Sequence, residues 1–261
     1  MRLSWCLALV FCAVLASVHC RRIVGGAPTD IETYPSLVQV ERQDINTEAW
    51  SQSCAATILT AQTVLTAAHC FHGELFEDRL RRIRAGTTYR NYGGDISYVK
   101  YSINHPDYNV ASRYDSDISI VRLANPLIYS PFIQRGTIVA HGSVIPDNLP
   151  VVHAGWGATE QGGKASDVLL DVSIYTINHD VCRERYATLE GRPPVTENMI
   201  CAGLKDVGGA DACQGDSGGP MYYGQIVIGV VSWGEGCANA TFPGISTAVS
   251  PFTPWIVDNS Y

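Results

Sequence analysis

The sequence predicts an all-β fold, built as an antiparallel barrel or sandwich. Short segments rich in Val, Ile, Tyr and Thr alternate apolar with polar residues, as half-buried strands do. Turn signals separate them at the spacing of antiparallel sheets, including Gly86, His105-Pro106-Asp107 and Asn125-Pro126. No helical periodicity of useful length interrupts this pattern before the last residues. The composition is that of a folded protein, since 46% of the residues are hydrophobic and both charge signs are present.

The first 20 residues have the pattern of a secretory signal peptide. Arg2 precedes the apolar run Leu7–Ala16, which is too short to span a bilayer, and small residues follow it. Cleavage after Ala16, Ser17 or Cys20 fits the pattern, so the site is predicted only to lie within 16–20. No later segment approaches 18 unbroken apolar residues. We therefore expect a secreted, extracellular protein with no membrane anchor.

Predicted strands follow the leader in order, and a short amphipathic helix ends the chain. In the first half the strands are Ser36–Glu41, Ala55–Leu59, Thr63–Ala67, Ser97–Ile103 and Ile118–Leu123. In the second half they are Val151–Ala154, Leu169–Tyr175, Met221–Tyr223, Gln225–Val231 and Gly244–Ala248. The helix covers Phe252–Asn259, after Pro251. No low-complexity linker or internal repeat is visible.

Cysteine and charge limit the environment and the partners. Three of the nine cysteines lie in the leader, and the six that remain admit fifteen disulfide pairings, among which spacing alone does not choose. Loss of residues 1–22 removes three arginines and no acids, so the formal net charge falls from −7 to −10. Such an acidic chain is not expected to bind nucleic acid.

The stretch Gly215–Pro220 is the first candidate for chemistry. A serine hydroxyl such as that of Ser217 is a poor nucleophile unless a base takes its proton and N–H donors stabilise the oxyanion that forms. Glycines on both sides let a substrate backbone approach and let the N–H groups of Gly215 and Ser217 point the same way. An ordinary Gly-rich turn would explain the hexapeptide alone, so the rest of the chain must supply the base.

Candidates for the base and its orienter lie in the first half of the chain. His69 follows an apolar strand, and Asp115 and Asp117 precede another. The order of His, Asp and Ser along the chain is that of the chymotrypsin arrangement. These residues are far apart in sequence, so only the fold can join them.

Six motifs, taken together and in order, resemble the trypsin-like serine peptidase family. They are Arg22–Gly26, Thr66–Cys70, Asp117-Ile118, Gly155-Trp156-Gly157, Gly215–Pro220 and Ser232-Trp233-Gly234. Each occurs singly in unrelated proteins, whereas their ordered succession across residues 22–261 is specific. The resemblance is closest to insect, and in particular lepidopteran, midgut trypsins.

The resemblance implies two antiparallel six-stranded β-barrels with the active site between them and a short C-terminal helix. The signal peptide then covers 1–20, an activation peptide ends at 21–22, and the peptidase domain covers 23–261. The first barrel spans about 23–135 and the second about 136–261. The family pattern pairs the remaining cysteines as Cys54 with Cys70, Cys182 with Cys201, and Cys213 with Cys237. All six are used.

The resemblance also assigns the site residues. His69, Asp117 and Ser217 would be base, orienter and nucleophile, and the N–H groups of Gly215 and Ser217 would form the oxyanion hole. The family places the orienting Asp directly before Ile118, which leaves Asp115 as a solvated turn residue. The implied substrate-binding residues are Asp211, Ala212, Ser232, Trp233, Gly234 and Gly244.

Specificity for a cationic side chain follows from Asp211, which lies six residues before Ser217, where the family has the floor of the primary pocket. Two neighbours depart from the commonest trypsin pattern, because Ala212 replaces a serine and Ser246 replaces a tyrosine. Without the serine hydroxyl a lysine ammonium loses a partner, whereas the arginine fork still reaches Asp211. We expect a preference for Arg over Lys. The effect of Ser246 is left open.

Activation is implied by Arg22 and Ile23. A cut between them frees the α-amino group of Ile23, which in the family pairs with Asp216 and completes the oxyanion hole. The chain is therefore expected to be made as a zymogen, and Arg22 itself satisfies the predicted specificity. A second catalytic carboxylate is the alternative interpretation of Asp216.

No cofactor and no metal is expected. The resemblance places the calcium loop of vertebrate pancreatic trypsins at Ile83–Gly94, which here holds no cluster of carboxylates that would bind Ca²⁺. Asn239-Ala240-Thr241 is an N-glycosylation sequon near the pocket rim. His72, His105, His141, His153 and His179 have no inferred partner and are interpreted as structural. Expected partners are protein and peptide substrates and protease inhibitors, and the chain is expected to be a monomer.

These features predict a secreted trypsin-like endopeptidase that cleaves after Arg and Lys and digests dietary protein in a gut lumen. Only three of the eighteen basic residues are lysines. Arginine keeps its charge at strongly alkaline pH, so the imbalance fits an alkaline gut, although lineage composition bias explains it equally. A regulatory, venom or reproductive-fluid protease remains an alternative. The lack of an added binding domain before Arg22 argues against a member of a protease cascade but leaves the others open. A non-catalytic binding protein on the same scaffold is another, although no triad member is missing.

Overall fold

The computed structural model describes residues 24–73 and 76–261. The predicted signal peptide, its cleavage within 16–20, and the predicted activation residues Arg22 and Ile23 lie outside the described residues. Within them, two β-barrels follow one another along the chain.

The first barrel is closed by six antiparallel strands in the order β2-β3-β4-β7-β6-β5. The strands are β2 (Leu37–Gln43), β3 (Trp50–Thr60), β4 (Thr63–Thr66), β5 (Arg81–Ala85), β6 (Asp95–Asn104) and β7 (Ser119–Leu123). Short 3₁₀ helices at Ala68–Phe71 and Asp78–Leu80 lie between β4 and β5. Alternate side chains point inward, so Val38, Val40, Ile58 and Ile83 are fully buried.

The second barrel is also closed by six antiparallel strands, in the order β9-β10-β11-β14-β13-β12 and back to β9. They are β9 (Pro150–Gly155), β10 (Leu170–Ile177), β11 (Met199–Gly203), β12 (Pro220–Tyr223), β13 (Ile226–Trp233) and β14 (Gly244–Ala248). Two short strands extend it: β1 (Ala27–Pro28) pairs with β10, and β8 (Thr137–Ile138) pairs in parallel with β13. The predicted all-β class and the implied pair of barrels are confirmed.

Two α-helices are present among the described residues. Helix α2 (Thr253–Ser260) follows a 3₁₀ turn at Ser250–Phe252 and is the predicted C-terminal helix. Helix α1 (His179–Tyr186) contradicts the expectation that no helix interrupts the strands. Apolar periodicity does not predict this helix, because its exposed face is charged and only Cys182 and Tyr186 are buried. The Asn178 side chain accepts from Val181 N and caps its first turn.

Strand β5 was also missed in the sequence, because three of its five residues are arginines. The side chain of Glu41 on β2 is fully buried and lies 2.5 Å from the guanidinium groups of Arg82 and Arg84. Two of the three charges that make β5 resemble a loop are therefore paired with a carboxylate on the neighbouring strand. Strand β11 and the two-residue strands β1 and β8 were missed as well.

The two barrels pack face to face through a shared apolar core. That core includes Leu37 and Ile58 of the first barrel together with Trp156, Tyr222 and Val230 of the second. Three disulfides join Cys54 to Cys70, Cys182 to Cys201 and Cys213 to Cys237, the pairs that the resemblance implies. Among the described residues no helix is long and apolar enough to cross a membrane.

Candidate active site

The 3₁₀ helix after β4 holds His69, and the turn before β7 holds Asp117, so pairing of β4 with β7 brings the two together. His69 Nδ1 lies 2.7 Å from Asp117 Oδ2. The backbone N–H of His69 donates to Asp117 Oδ1 at 2.8 Å. Two bonds between the same residues fix the ring orientation, so that Nδ1 carries the proton and Nε2 is the free base.

The carboxylate of Asp117 is fully buried and is also tied to the second barrel. Ser232 Oγ donates to Asp117 Oδ2 at 2.5 Å, and Thr247 Oγ1 donates to the Asp117 backbone oxygen at 2.9 Å. Together with its two bonds to His69, the carboxylate accepts three hydrogen bonds. These three donors hold the buried carboxylate in one orientation.

Ser217 reaches this site from the loop before β12. Its backbone oxygen accepts from Ala55 N at 2.8 Å, and the next residue, Gly218, donates to Val231 O at 2.8 Å. The Sγ of Cys70 lies 3.7 Å from the Ser217 oxygen, which places the serine beside the turn that carries His69. Although His69 and Ser217 both belong to the described residues, their side chains make no hydrogen bond with each other, as is common for catalytic groups without substrate.

The turn that contains Ser217 presents two N–H groups. Gly215 has a φ of +105°, a conformation that side chains other than hydrogen rarely tolerate. Within the described chain, the N–H groups of Gly215 and Ser217 donate to no acceptor, whereas Gln52 Nε2 holds the Gly215 carbonyl at 2.6 Å. Two unused donors on one turn can bind an oxyanion.

A cavity of about 250 Å³ opens beside Ser217, with Asp211 in its wall. The loop and strand residues around it include Ala212, Gln214, Trp233, Gly234, Gly244 and Ser246. Asp211 is only 5% exposed, and its burial raises the pKa of the carboxyl to about 7. A Cβ at position 244 would lie 2.6 Å from Asp211 Oδ1, so only glycine leaves that carboxylate accessible. A buried carboxylate with little solvation favours a cationic ligand.

An aromatic stack borders the entrance to the cavity. The rings of Tyr114 and Trp233 are stacked with centroids 6.0 Å apart, and Tyr114 meets the His69 ring edge-on at 6.1 Å. The sequence analysis assigned Trp233 but missed Tyr114. Its one sequence signal was its position three residues before Asp117.

Asp216 is buried on the opposite side of the Ser217 turn. Its carboxylate accepts from Gly157 N at 2.8 Å and Cys213 N at 3.0 Å, and no cation in the described part of the chain pairs with it. Burial raises its pKa to about 6. The carbonyl of Val24 accepts from Asp211 N at 3.2 Å, so Val24 lies against the loop that carries Asp211.

The expectation that Asp115 is solvated is wrong. Asp115 is 2% exposed, and its carboxylate accepts from Thr196 Oγ1, from Asn198 Nδ2 at 3.1 Å and from Ser116 Oγ at 3.0 Å. Thr196 and Asn198 belong to the second half of the chain, about 80 residues away. Nothing local in the sequence indicates these partners.

His153 lines the cavity, although the sequence analysis interpreted it as structural. The neighbouring residues of β9 are apolar and predict a core strand, so the sequence does not indicate that His153 lines a cavity. Asn239 of the predicted sequon is exposed, and its Oδ1 accepts from Thr241 N and Phe242 N. Its side chain is thus held in a surface turn.

One cluster of metal-ligand atom types occurs among the described residues, formed by Cys54, His69 and Cys70. Its two sulfurs are joined in a disulfide, and its imidazole is bonded to Asp117. It therefore offers no thiolates to a metal.

Comparison with known proteins agrees with this geometry. The family model described as Trypsin matches residues 23–256. The chain is 44% identical over 255 residues to "Trypsin, alkaline C" of Manduca sexta, covering 97% of both chains. It is 41% identical to "Trypsin CFT-1" of Choristoneura fumiferana, covering 92% of this chain and 91% of that one. It is 38% identical to "Vitellin-degrading protease" of Bombyx mori, with coverage of 91% and 85%.

Proposed function

The chain belongs to the trypsin family and is a serine endopeptidase, and from this premise we propose that it cleaves peptide bonds after Arg and Lys. The observation that carries the specificity is Asp211, a buried carboxylate in the wall of the cavity beside Ser217. Water solvates the buried carboxylate of Asp211 poorly. A guanidinium or ammonium group that enters the cavity supplies the hydrogen bonds and the opposite charge that water does not. Aromatic side chains gain nothing from that carboxylate.

The hydrogen bonds between His69 and Asp117 support the following catalytic roles. Ser217 Oγ attacks the scissile carbonyl carbon while His69 Nε2 takes its proton, and Asp117 stabilises the imidazolium that forms. The N–H groups of Gly215 and Ser217 bind the developing oxyanion. His69 then gives its proton to the leaving amine as the C–N bond breaks. Water, activated by His69, hydrolyses the acyl-enzyme and restores Ser217.

The substrate backbone adds to the edge offered by Ser232, Trp233 and Gly234, where β13 ends beside the cavity. Main-chain hydrogen bonds along this edge would hold the peptide extended. The Ser232 side chain meanwhile remains bonded to Asp117. Substrate binding and orientation of the catalytic carboxylate thus use different parts of the same residue.

A preference for Arg over Lys follows from Ala212, which lines the cavity without a hydroxyl group. The guanidinium can donate two parallel bonds to a carboxylate, whereas a lysine ammonium is a single point charge that uses additional acceptors. We expect kcat/KM for Arg substrates to exceed that for matched Lys substrates. Equal values would contradict the preference but leave the tryptic specificity standing.

Activation by a cut between Arg22 and Ile23 would supply the cation that Asp216 lacks among the described residues. The new α-amino group of Ile23 would pair with this carboxylate and lower its pKa. Because Asp216 lies between Gly215 and Ser217 in sequence, this ion pair would order the oxyanion hole. The precursor would thus carry its nucleophile in an incomplete site.

A catalytically dead precursor tests self-activation. Ser217→Ala proenzyme incubated alone should remain uncut after Arg22, while added wild-type enzyme should cut it there. Cleavage of the variant alone would show that another protease acts on this bond. Labelling of wild-type Ser217 by an organophosphonate is the matching control for a working nucleophile.

The setting that we propose is a secreted, monomeric digestive enzyme of an alkaline gut lumen, where it meets dietary protein and protein protease inhibitors. One relative is named an alkaline trypsin, and this chain shares 44% identity with it. A reproductive role is the second candidate, favoured by the relative named for vitellin degradation. Kinetics on Arg, Lys and aromatic substrates from pH 7 to 11 test specificity and alkaline activity together. Transcript abundance in gut against ovary or egg separates the two settings.

A further inference from the structure

His153 occupies an unusual position in β9, between the apolar core of the second barrel and the specificity cavity. It is 4% exposed and shares the inward face of the strand with Val151 and Gly155. Its cross-strand partners are Met221 on β12 and Val172 on β10. These neighbours are apolar side chains of the barrel core.

The imidazole of His153 has no hydrogen-bond partner among the described residues, at either Nδ1 or Nε2. A neutral imidazole carries one donor and one acceptor, and leaving either unpaired in the interior is destabilising. Burial also lowers the pKa of His153 to about 4, so the ring is neutral at neutral and alkaline pH. A buried polar side chain without a partner calls for an explanation.

The polar groups that can satisfy this ring border the cavity. His153 lines it together with Asp211 and Ser246. Ser246 is also buried, at 1% exposed, and carries a hydroxyl group. A cavity of about 250 Å³ has room for a substrate side chain and for water. Both ring nitrogens are covered in this structure, so a partner that enters the cavity reaches them only if the ring turns toward it.

We propose that His153 is a specificity-determining residue of the primary pocket, which accepts a hydrogen bond from a substrate guanidinium directly or through one water shared with Ser246. This inference rests on the proposed cleavage after basic residues. Asp211 cannot take up every donor of an arginine side chain, because its Oδ1 already accepts from Ala212 N at 2.8 Å. A guanidinium has five N–H groups spread over three nitrogens, so one group can bond Asp211 while another bonds His153.

A lysine side chain uses the same pocket differently. Its donors lie on a single nitrogen, so an ammonium that contacts Asp211 has no second nitrogen to place against the ring. The neutral state of His153 matters here because an imidazolium would repel either cation. His153 therefore adds to the Arg preference without contributing charge.

Substitution of the ring tests this assignment. His153→Phe keeps a planar side chain and removes both nitrogens, whereas His153→Gln keeps an acceptor and a donor. His179→Phe serves as a control, since His179 bonds Thr196 O and does not line the cavity. Enzyme concentrations are set by organophosphonate titration of Ser217, and kcat/KM is measured on matched Arg and Lys substrates.

We expect His153→Phe to lower kcat/KM for Arg about tenfold, the size of one hydrogen bond to a charged group, and for Lys less than threefold. The loss should fall mainly on KM and should weaken benzamidinium binding in parallel. His153→Gln should recover most of the Arg activity. The control variant should leave the Arg-to-Lys ratio unchanged.

An unchanged ratio in His153→Phe, or an equal loss on both substrates that His153→Gln does not recover, would overturn the inference and make the ring a core residue only. If the Phe variant does not fold, His153→Leu provides the same comparison with a smaller side chain. Failure of the wild-type enzyme to favour Arg and Lys over aromatic substrates would instead overturn the proposed function. The two failures are therefore distinguishable.

Discussion

At the scale of single residues, the carboxylate of Asp117 depends on a donor from the other barrel. Ser232 Oγ and His69 Nδ1 share Asp117 Oδ2, at 2.5 and 2.7 Å. The serine hydroxyl therefore limits how far the carboxylate can rotate. Without it, Asp117 would keep its bonds to His69 but lose the contact that fixes their angle.

Ser232→Ala should lower kcat about tenfold with little change in KM, because a bond to a charged group contributes about 1.5–3 kcal/mol. The reason is a less firmly oriented His69. Steady-state kinetics on an Arg substrate measure the effect. Ser36→Ala is the matched control, since it removes another buried hydroxyl, which bonds Tyr222 at 2.9 Å. A rise in KM without a fall in kcat would contradict this role.

The raised pKa of Asp211, about 7, makes binding of cations depend on pH. The native carboxyl holds its proton more tightly than the unfolded one, so its contribution to stability is present below about 3.8 and lost as pH rises through about 7. A bound cation prefers the ionised form and offsets that loss. Benzamidinium binding should therefore weaken about 100-fold between pH 8 and pH 5.

Calorimetric titration measures this pH dependence without involving catalysis. Asp211→Asn should bind benzamidinium weakly and almost independently of pH in this range. A flat affinity in the wild-type enzyme would mean that the empty pocket already holds Asp211 ionised.

The residues that the sequence predicted and those that it missed differ in the origin of their partners. Each assigned catalytic residue sits in a local motif, such as the turn around Ser217. The roles of Asp115 and His153 depend on groups that only folding brings near, from the second barrel and from the pocket wall. No local pattern of residue types carries that information.

At the scale of elements, the loop between β6 and β7 links the two barrels through Asp115. Tyr114 and Ser116, on either side of it, have φ values of +64° and +53°, which cost energy for residues other than glycine. The bonds from Thr196 and Asn198 offset this strain. The same loop carries the ring of Tyr114 and Asp117, the proposed orienting carboxylate.

Asp115→Asn should lower stability by about 2 kcal/mol, because the new amide group faces two donors. It should also lower kcat several-fold, since Asp117 lies two residues away. Thermal unfolding and kinetics give the two readouts. Asp107→Asn is the control, in an exposed position of the same loop. Lost stability with unchanged kcat would limit Asp115 to a structural role.

Missed elements show a different limit of sequence reasoning. Strand β5 and helix α1 both have charged sequences, and each is held by contacts made elsewhere. Glu41 pairs with Arg82 and Arg84 of β5, and the disulfide from Cys182 to Cys201 anchors α1. Apolar periodicity indicates burial of one face and predicted most of the other strands, although it missed the apolar strand β11. Strand β5 and helix α1 are instead held in place by charge pairing and by a disulfide.

At the scale of the whole molecule, ion pairing relies on arginine. Every ion pair without histidine among the described residues uses an arginine, and none uses any of the three lysines. Arginine stays charged well above the lysine pKa of about 10.4. The fold therefore keeps its ion pairs at a pH where lysine pairs fail, as the proposed alkaline setting requires.

Replacement of the buried arginines tests this interpretation. Arg82→Lys with Arg84→Lys keeps both charges beside Glu41 at pH 7, so the unfolding midpoint should fall only slightly. A paired lysine stabilises the fold below about pH 10.4 and loses that contribution as pH rises through its folded pKa. Above it, Glu41 remains buried and uncompensated, which costs about 3–5 kcal/mol.

The midpoint difference from wild type should therefore grow by several degrees between pH 9 and pH 11.5, measured by thermal unfolding of the Ser217→Ala background to prevent self-digestion. Arg79→Lys is the control, because its pair with Glu77 is exposed and contributes little at any pH. Parallel curves for the double variant and wild type would show that arginine gives no alkaline advantage here. In that case the scarcity of lysine would reflect composition, and the alkaline setting would rest on the catalytic pH profile alone.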